Sequence, residues 1–80
     1  LKVVEYKGNK IYFRNIGNIF EYIAVVKGEV YTMHIVVIKS LVSRLMGRDY
    51  TEKQLSDAVK YLATAAETTV DFVLENKMKT

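Results

Sequence analysis

The sequence predicts an α+β fold: an antiparallel β-meander of three to four strands, then a short helix and a long C-terminal helix packed on one sheet face. Three observations lead there. Glycine-bearing turns cut the first 38 residues into segments rich in Val, Ile, Tyr and Phe. The connections between those segments are too short to join parallel neighbours, so consecutive strands must run antiparallel. After Gly47, neither Gly nor Pro interrupts the chain, and apolar residues recur at spacings of three and four, the period of an amphipathic helix.

The first two strands flank Gly8-Asn9, with Val3-Val4-Glu5-Tyr6 before it and Ile11-Tyr12-Phe13-Arg14 after it. A glycine at the first central position suits a type II′ two-residue turn. Lys2, Glu5, Lys7, Lys10 and Arg14 make this pair a charged, protected edge. Asn15-Ile16-Gly17-Asn18 has the composition of a longer turn. Gly28 then separates two more strands, Ile19–Lys27 and Glu29–Val37.

Period-two alternation sorts the third strand into Ile19, Glu21, Ile23, Val25 on one side and Phe20, Tyr22, Ala24, Val26 on the other. The fourth divides into Tyr31, Met33, Ile35, Val37 and Val30, Thr32, His34, Val36. Both sides are apolar, unlike a half-solvated sheet, which alternates between apolar and polar residues. Something must cover each face.

Beyond about residue 37, Ile38, Leu41, Val42 and Leu45 take up helical spacing, predicting a short helix from Lys39 to Met46 stopped by Gly47 in a left-handed cap. Thr51-Glu52-Lys53-Gln54 forms a capping box, with Tyr50 and Leu55 placed as a hydrophobic staple. The helix it opens runs from Glu52 to about Glu75. Its seam is Leu55, Val59, Leu62, Ala66, Thr69 and Val73, widened by Ala58, Ala65 and Phe72. The whole chain reads as one domain over residues 1–80: a meander to about 38, a helical hairpin over 39–76, and a frayed tail over 77–80.

Composition narrows the function classes. Eighty residues hold one domain, and a domain this small buries only about 60–65% of its unfolded surface. With no cysteine and a single histidine, His34, neither disulfides nor a thiolate or imidazole-rich zinc site can reinforce it. What is left is packing and association. The longest apolar run, Ile35-Val36-Val37-Ile38, falls far short of the ~20 residues of a membrane span. No signal peptide is visible, which implies a cytoplasmic location. The chain opens at Leu1 without an initiator methionine, as expected of a piece of something longer.

Catalytic, metal-binding and cofactor motifs are not legible. A lone His34 on a β-rich segment reads as a structural or exposed histidine. Ser40, Ser43 and Ser56 have no nucleophile-elbow context and read as helix-boundary or surface residues. Glu67, Asp71 and Glu75 form a ladder of like charge at i, i+4, simplest as a solvated face. No phosphate-binding glycine loop is present. In the Leu41–Leu55 region a helix-turn-helix is disfavoured, because the second helix has few basic or amide side chains near its start.

Charge is uneven. Residues 1–48 carry eight Lys/Arg against three Glu, and residues 49–80 carry four Lys against six Asp/Glu. Lys10-Ile11-Tyr12-Phe13-Arg14-Asn15-Ile16 resembles the aromatic first-strand motif of RNA-recognition motifs, in which a strand aromatic stacks a base. The resemblance covers only those seven residues. That family continues with a helix where this chain continues with strand, and its second motif is missing, so membership is rejected. A local surface survives: Tyr12 sharing a strand face with Lys10 and Arg14, extended by Lys2, Lys7, Lys27, Arg44 and Arg48 as phosphate contacts.

Two functional expectations result. The first is a non-enzymatic interaction module acting as a homodimer or complex subunit, with Phe20, Tyr22, Val26, Tyr31, Met33 and Ile35 as the candidate interface. The second is a small basic nucleic-acid-binding protein using the N-terminal sheet.

Overall fold

The structure, a computed structural model, describes residues 2–78, with side chains through Asn76. Four strands form one antiparallel sheet in the order β1-β2-β3-β4, with β1 over Lys2–Tyr6, β2 over Asn9–Ile16, β3 over Ile19–Val26 and β4 over Glu29–Val36. Two helices follow: α1 over Leu41–Leu45 and α2 over Glu52–Met78.

Turn chemistry sets the strand register. Lys7 and Gly8 both have positive φ (49° and 78°), as do Lys27 and Gly28 (53° and 78°). This is the type I′ pattern, whose twist matches that of the flanking strands. The first turn is therefore centred one residue earlier than Gly8-Asn9 and is of the other primed type. At Gly17-Asn18 only the glycine has positive φ, 58°, the type II′ pattern. There the connection is a tight two-residue turn, shorter than its Asn- and Gly-rich composition suggested.

The short helix is trimmed at both ends relative to Lys39–Met46. Ser40 caps its start, with its Oγ accepting from the Ser43 amide. Its end is a Schellman motif: the Arg48 amide donates to the Ser43 carbonyl at 2.8 Å and the Gly47 amide to Arg44 at 3.1 Å, with Gly47 at φ 68°. Ser43 is fully buried, its hydroxyl donating to the Ser40 carbonyl at 2.9 Å, so it is an internal residue of this turn and not a surface one.

The capping box of α2 forms as its sequence requires. The Gln54 amide donates to Thr51 Oγ1 at 3.1 Å and the Thr51 amide to Gln54 Oε1 at 2.9 Å. Gln54 Nε2 also donates to the Ile38 carbonyl at 2.7 Å, tying the helix start to the end of the sheet. α2 runs to Met78, past the expected boundary at 76, and the fraying expected for the last residues lies outside the described ones beyond that point.

At about 1.5 Å per residue the 27-residue α2 is roughly 40 Å long, and the whole molecule extends 52 × 19 × 15 Å. It lies chiefly along β3. The core is Ile11, Phe20, Tyr22, Ala24 and Val26 from the sheet against Ala58, Leu62, Ala66, Val70 and Val73 from the helix. Small residues meet here, with Ala24 and Ala66 both fully buried, and short side chains let helix and sheet approach closely.

The buried stripe is rotated from the expected seam. Val70, outside that seam, is fully buried, whereas Val59 and Phe72 are 46% and 66% exposed. A flat, twisted sheet contacts the ridge of residues at i, i+4 (58, 62, 66, 70). A coiled-coil partner would have selected the heptad seam instead.

Candidate interaction surface

Cross-strand pairs place residues side by side on one face, so the register defines both faces of the sheet. Under α2 lie Ile11, Phe13, Phe20, Tyr22, Ala24, Val26, Tyr31, Met33 and Ile35. On the opposite face the register builds four rows: Glu5-Lys10-Val25-Val30, Val3-Tyr12-Ile23-Thr32, Arg14-Glu21-His34 and Ile16-Ile19-Val36. No element of the described chain covers this second face. Val3, Ile16, Ile19, Val30 and Val36 are all exposed, Val30 at 65%, and Tyr12, Ile23 and Val25 are half-buried only by their neighbours.

The six residues expected to form an interface therefore sit on the other side. Phe20, Tyr22 and Val26 are 3%, 4% and 0% exposed, and Tyr31, Met33 and Ile35 pack against the same core. The Tyr22 hydroxyl is bonded to Thr69 Oγ1 on α2 at 2.7 Å. They belong to the chain's own core, and the surface left for a partner is carried by their sequence neighbours. The signal that identifies it is polar: Glu5, Lys10, Arg14, Glu21, Thr32 and His34 fall on the open side, whereas the polar residues of the covered side, Lys2, Asn9, Asn15 and Glu29, stand at or next to strand ends. Charges within strands are cheapest where the chain's own helix does not bury them.

The cations expected to contact phosphates are dispersed. Lys10 and Arg14 flank Tyr12 on the open face, but Glu5 stands opposite Lys10, and the Arg14 guanidinium is ion-paired with Glu21. Lys7 and Lys27 lie in the two turns at one end of the sheet, where Lys7 Nζ is 2.7 Å from Asp71 Oδ1. Arg48 is at the opposite end, beside the Gly17 turn that the start of α2 adjoins, and Arg44 is in the last turn of α1. Lys2 lies at the mouth of an apolar groove.

That groove, about 420 Å³, separates α2 from β1 and β2 and is lined by Val4, Ile11, Phe13, Leu55, Val59 and Leu62. It exists because α2 follows β3 and leaves the β1 side of its own face partly uncovered. A further apolar group projects from the connecting segment: Ile38, Leu41, Val42, Leu45 and Met46 are 55–79% exposed. Five neighbouring apolar side chains left in solvent are unusual for a monomeric surface.

Titration is shifted at polar contacts between the first hairpin and α2. Hydrogen bonding to Lys7 holds the Asp71 carboxyl below the usual carboxylate range, and the same contact raises Lys7. Desolvation and the bond from its hydroxyl to Asp71 raise the Tyr6 phenol. These groups fasten the first hairpin to α2. His34 is exposed on the open face across from Glu21. Among the described residues no three His, Cys, Asp or Glu lie together as metal ligands, and no helix is long and apolar enough to cross a membrane. Comparison with known protein families, curated proteins and solved structures finds no match.

Proposed function

We propose that this chain is a non-enzymatic, cytoplasmic interaction module, working as a homodimer or complex subunit through the sheet face opposite α2. One observation carries the reading: an antiparallel sheet whose exposed face bears Val3, Ile16, Ile19, Val30 and Val36. A solvated face of such a sheet ordinarily carries polar residues, and an exposed patch with this many apolar side chains marks a contact surface.

Light scattering combined with binding of an apolar fluorescent dye tests it. Expected is either an assembly with low dye binding or a monomer that binds dye strongly and loses that binding in Ile23→Lys. A monomer that binds no dye overturns the reading, since the face would then offer nothing to a partner.

A second reading, nucleic-acid binding through the same face, draws on Tyr12 standing between Lys10 and Arg14. Such binding is largely electrostatic and strongest at low salt. The carboxylates facing both cations weigh against it. An anisotropy titration with single-stranded RNA and DNA at ~50 mM salt decides: no binding rejects this reading.

A further inference from the structure

Resting on the interaction reading, we infer that the occupant of the open face is a second copy of this chain, related by a two-fold axis that runs parallel to the strands between β2 and β3. Arg14 and Glu21 of each copy then form a ring of four alternating charges at the centre of the interface.

The area is near what a dimer needs. Strands about 4.8 Å apart, with residues rising about 3.3 Å each, three of them eight residues long and β1 five, give a face of roughly 460 Å² in outline. Two such faces together bury roughly 900 Å² in outline, at the lower edge of a specific interface, and the exposed side chains of the α1 segment add to it. The sheets would pack about 10 Å apart as in a β-sandwich, with each α2 on the outside.

The rows select the axis. Closed two-fold contacts are self-complementary, so two axes within the interface plane compete. An axis perpendicular to the strands sets each row against the row reflected about the sheet centre. Arg14-Glu21-His34 would then meet Val3-Tyr12-Ile23-Thr32, burying charge against apolar side chains, an arrangement that costs heavily. The strand-parallel axis sets each row on itself. Arg14 meets the partner's Glu21 while Glu21 meets the partner's Arg14. Tyr12 meets the partner's Ile23, and Ile16 meets the partner's Ile19.

In the remaining row, Lys10 and Glu5 face the partner's Val25 and Val30 at the sheet end, where their apolar stems cover surface and their charged heads reach water. This axis also brings both α1 segments to one end of the assembly, so that their exposed Leu41, Val42, Leu45 and Met46 adjoin the interface rather than lying at opposite ends.

Sedimentation equilibrium on the whole chain, with circular dichroism to confirm folding, tests the arrangement. Arg14→Glu alone gathers four carboxylates and Glu21→Arg alone gathers four cations. Each is expected to raise the dimer dissociation constant at least ~100-fold. An equimolar mixture of the two variants should restore a dimer containing one of each, and Arg14→Glu/Glu21→Arg in one chain should restore the homodimer.

Single variants that remain as dimeric as wild type, or a mixture that fails to pair, overturn the axis. Ile23→Lys separates that failure from failure of the interaction reading. If it dissociates the dimer while the charge variants do not, the face stands and the axis falls. If the dimer survives Ile23→Lys, the face itself is wrong. A wild-type chain that is monomeric at 50–100 μM overturns the second copy as occupant and leaves the face to a different protein.

Discussion

Val25 and Val26 are neighbours on β3 with identical side chains, and the sheet sends them to opposite faces. Val26 is fully buried in the core that includes Val70 and Val73, whereas Val25 is half-buried on the open face between Lys10 and Val30. Truncation to alanine removes the same two carbon groups from each. For Val26 the transfer loss is about 1.6 kcal/mol, and the cavity left beneath the helix brings the cost to about 2–3 kcal/mol. In a domain of this size that lowers the melting temperature by roughly 8–24 °C.

For Val25 in a dilute, unassembled chain, half the burial and no enclosed cavity leave a cost of about 0.8 kcal/mol or less. Thermal unfolding followed by circular dichroism, over a protomer series from about 1 to 200 μM, separates the two sites by linkage. Val26→Ala should be destabilised by a similar amount throughout. Val25→Ala should track wild type when dilute and fall increasingly behind it as concentration rises, because only assembly covers that side chain. Equal destabilisation of the two variants at the lowest concentration would refute the assignment of the faces.

Three further outcomes are expected. Leu62→Ala, on the buried ridge of α2, costs about 2–5 kcal/mol by urea unfolding, while Phe72→Ala, which removes a larger but exposed ring, stays within about 0.5 kcal/mol. Thr51→Ala lowers the urea midpoint by the equivalent of about 1 kcal/mol with an unchanged m-value, since the cap is lost but the buried surface is not. In Asp71→Asn the acid limb of the stability profile flattens. The folded Asp71 pKa is depressed, so its contribution is present above the unfolded value near pH 4 and is lost as pH falls through the lower folded value. The variant lacks that component, which a series of thermal scans from about pH 5 to pH 2 would show.

Much of the fold was legible because local and tertiary signals agree. Thr51 and Gln54 form the capping box that their spacing requires, and Gly47 takes the left-handed cap that ends α1. The two side-chain sets of β3 and β4 were also separable by alternation alone. What alternation could not decide was which set α2 would cover, because Phe20-Tyr22-Ala24-Val26 and Ile19-Glu21-Ile23-Val25 are both rich in large apolar groups.

The choice depends on long-range pairing. Only the register brings Glu5, Lys10, Arg14, Glu21 and His34 onto one side, and only the packed core shows Ala24 sharing one buried cluster with Ala58, Leu62 and Ala66. The expected stripe of α2 holds at Ala58, Leu62, Ala66 and Val73 but misses Val70 and wrongly includes Val59 and Phe72. Heptad spacing describes a seam against another helix, whereas the sheet selects the i, i+4 ridge and leaves Phe72 outside. Turn types were misjudged at Lys7-Gly8 because lysine carries no signature for positive φ. The requirement there comes from the twist of the two strands it joins.

The most direct test of where this chain meets its partner is hydroxyl-radical footprinting of side chains across a dilution series, read by mass spectrometry. Tyr12 and Ile23 on the open face should lose reactivity as the chain assembles. Tyr61, 59% exposed on α2, should react equally at every concentration. Constant labelling of Tyr12 and Ile23 in an assembly, with Tyr61 protected in their place, would put the contact on the helical side and contradict the account.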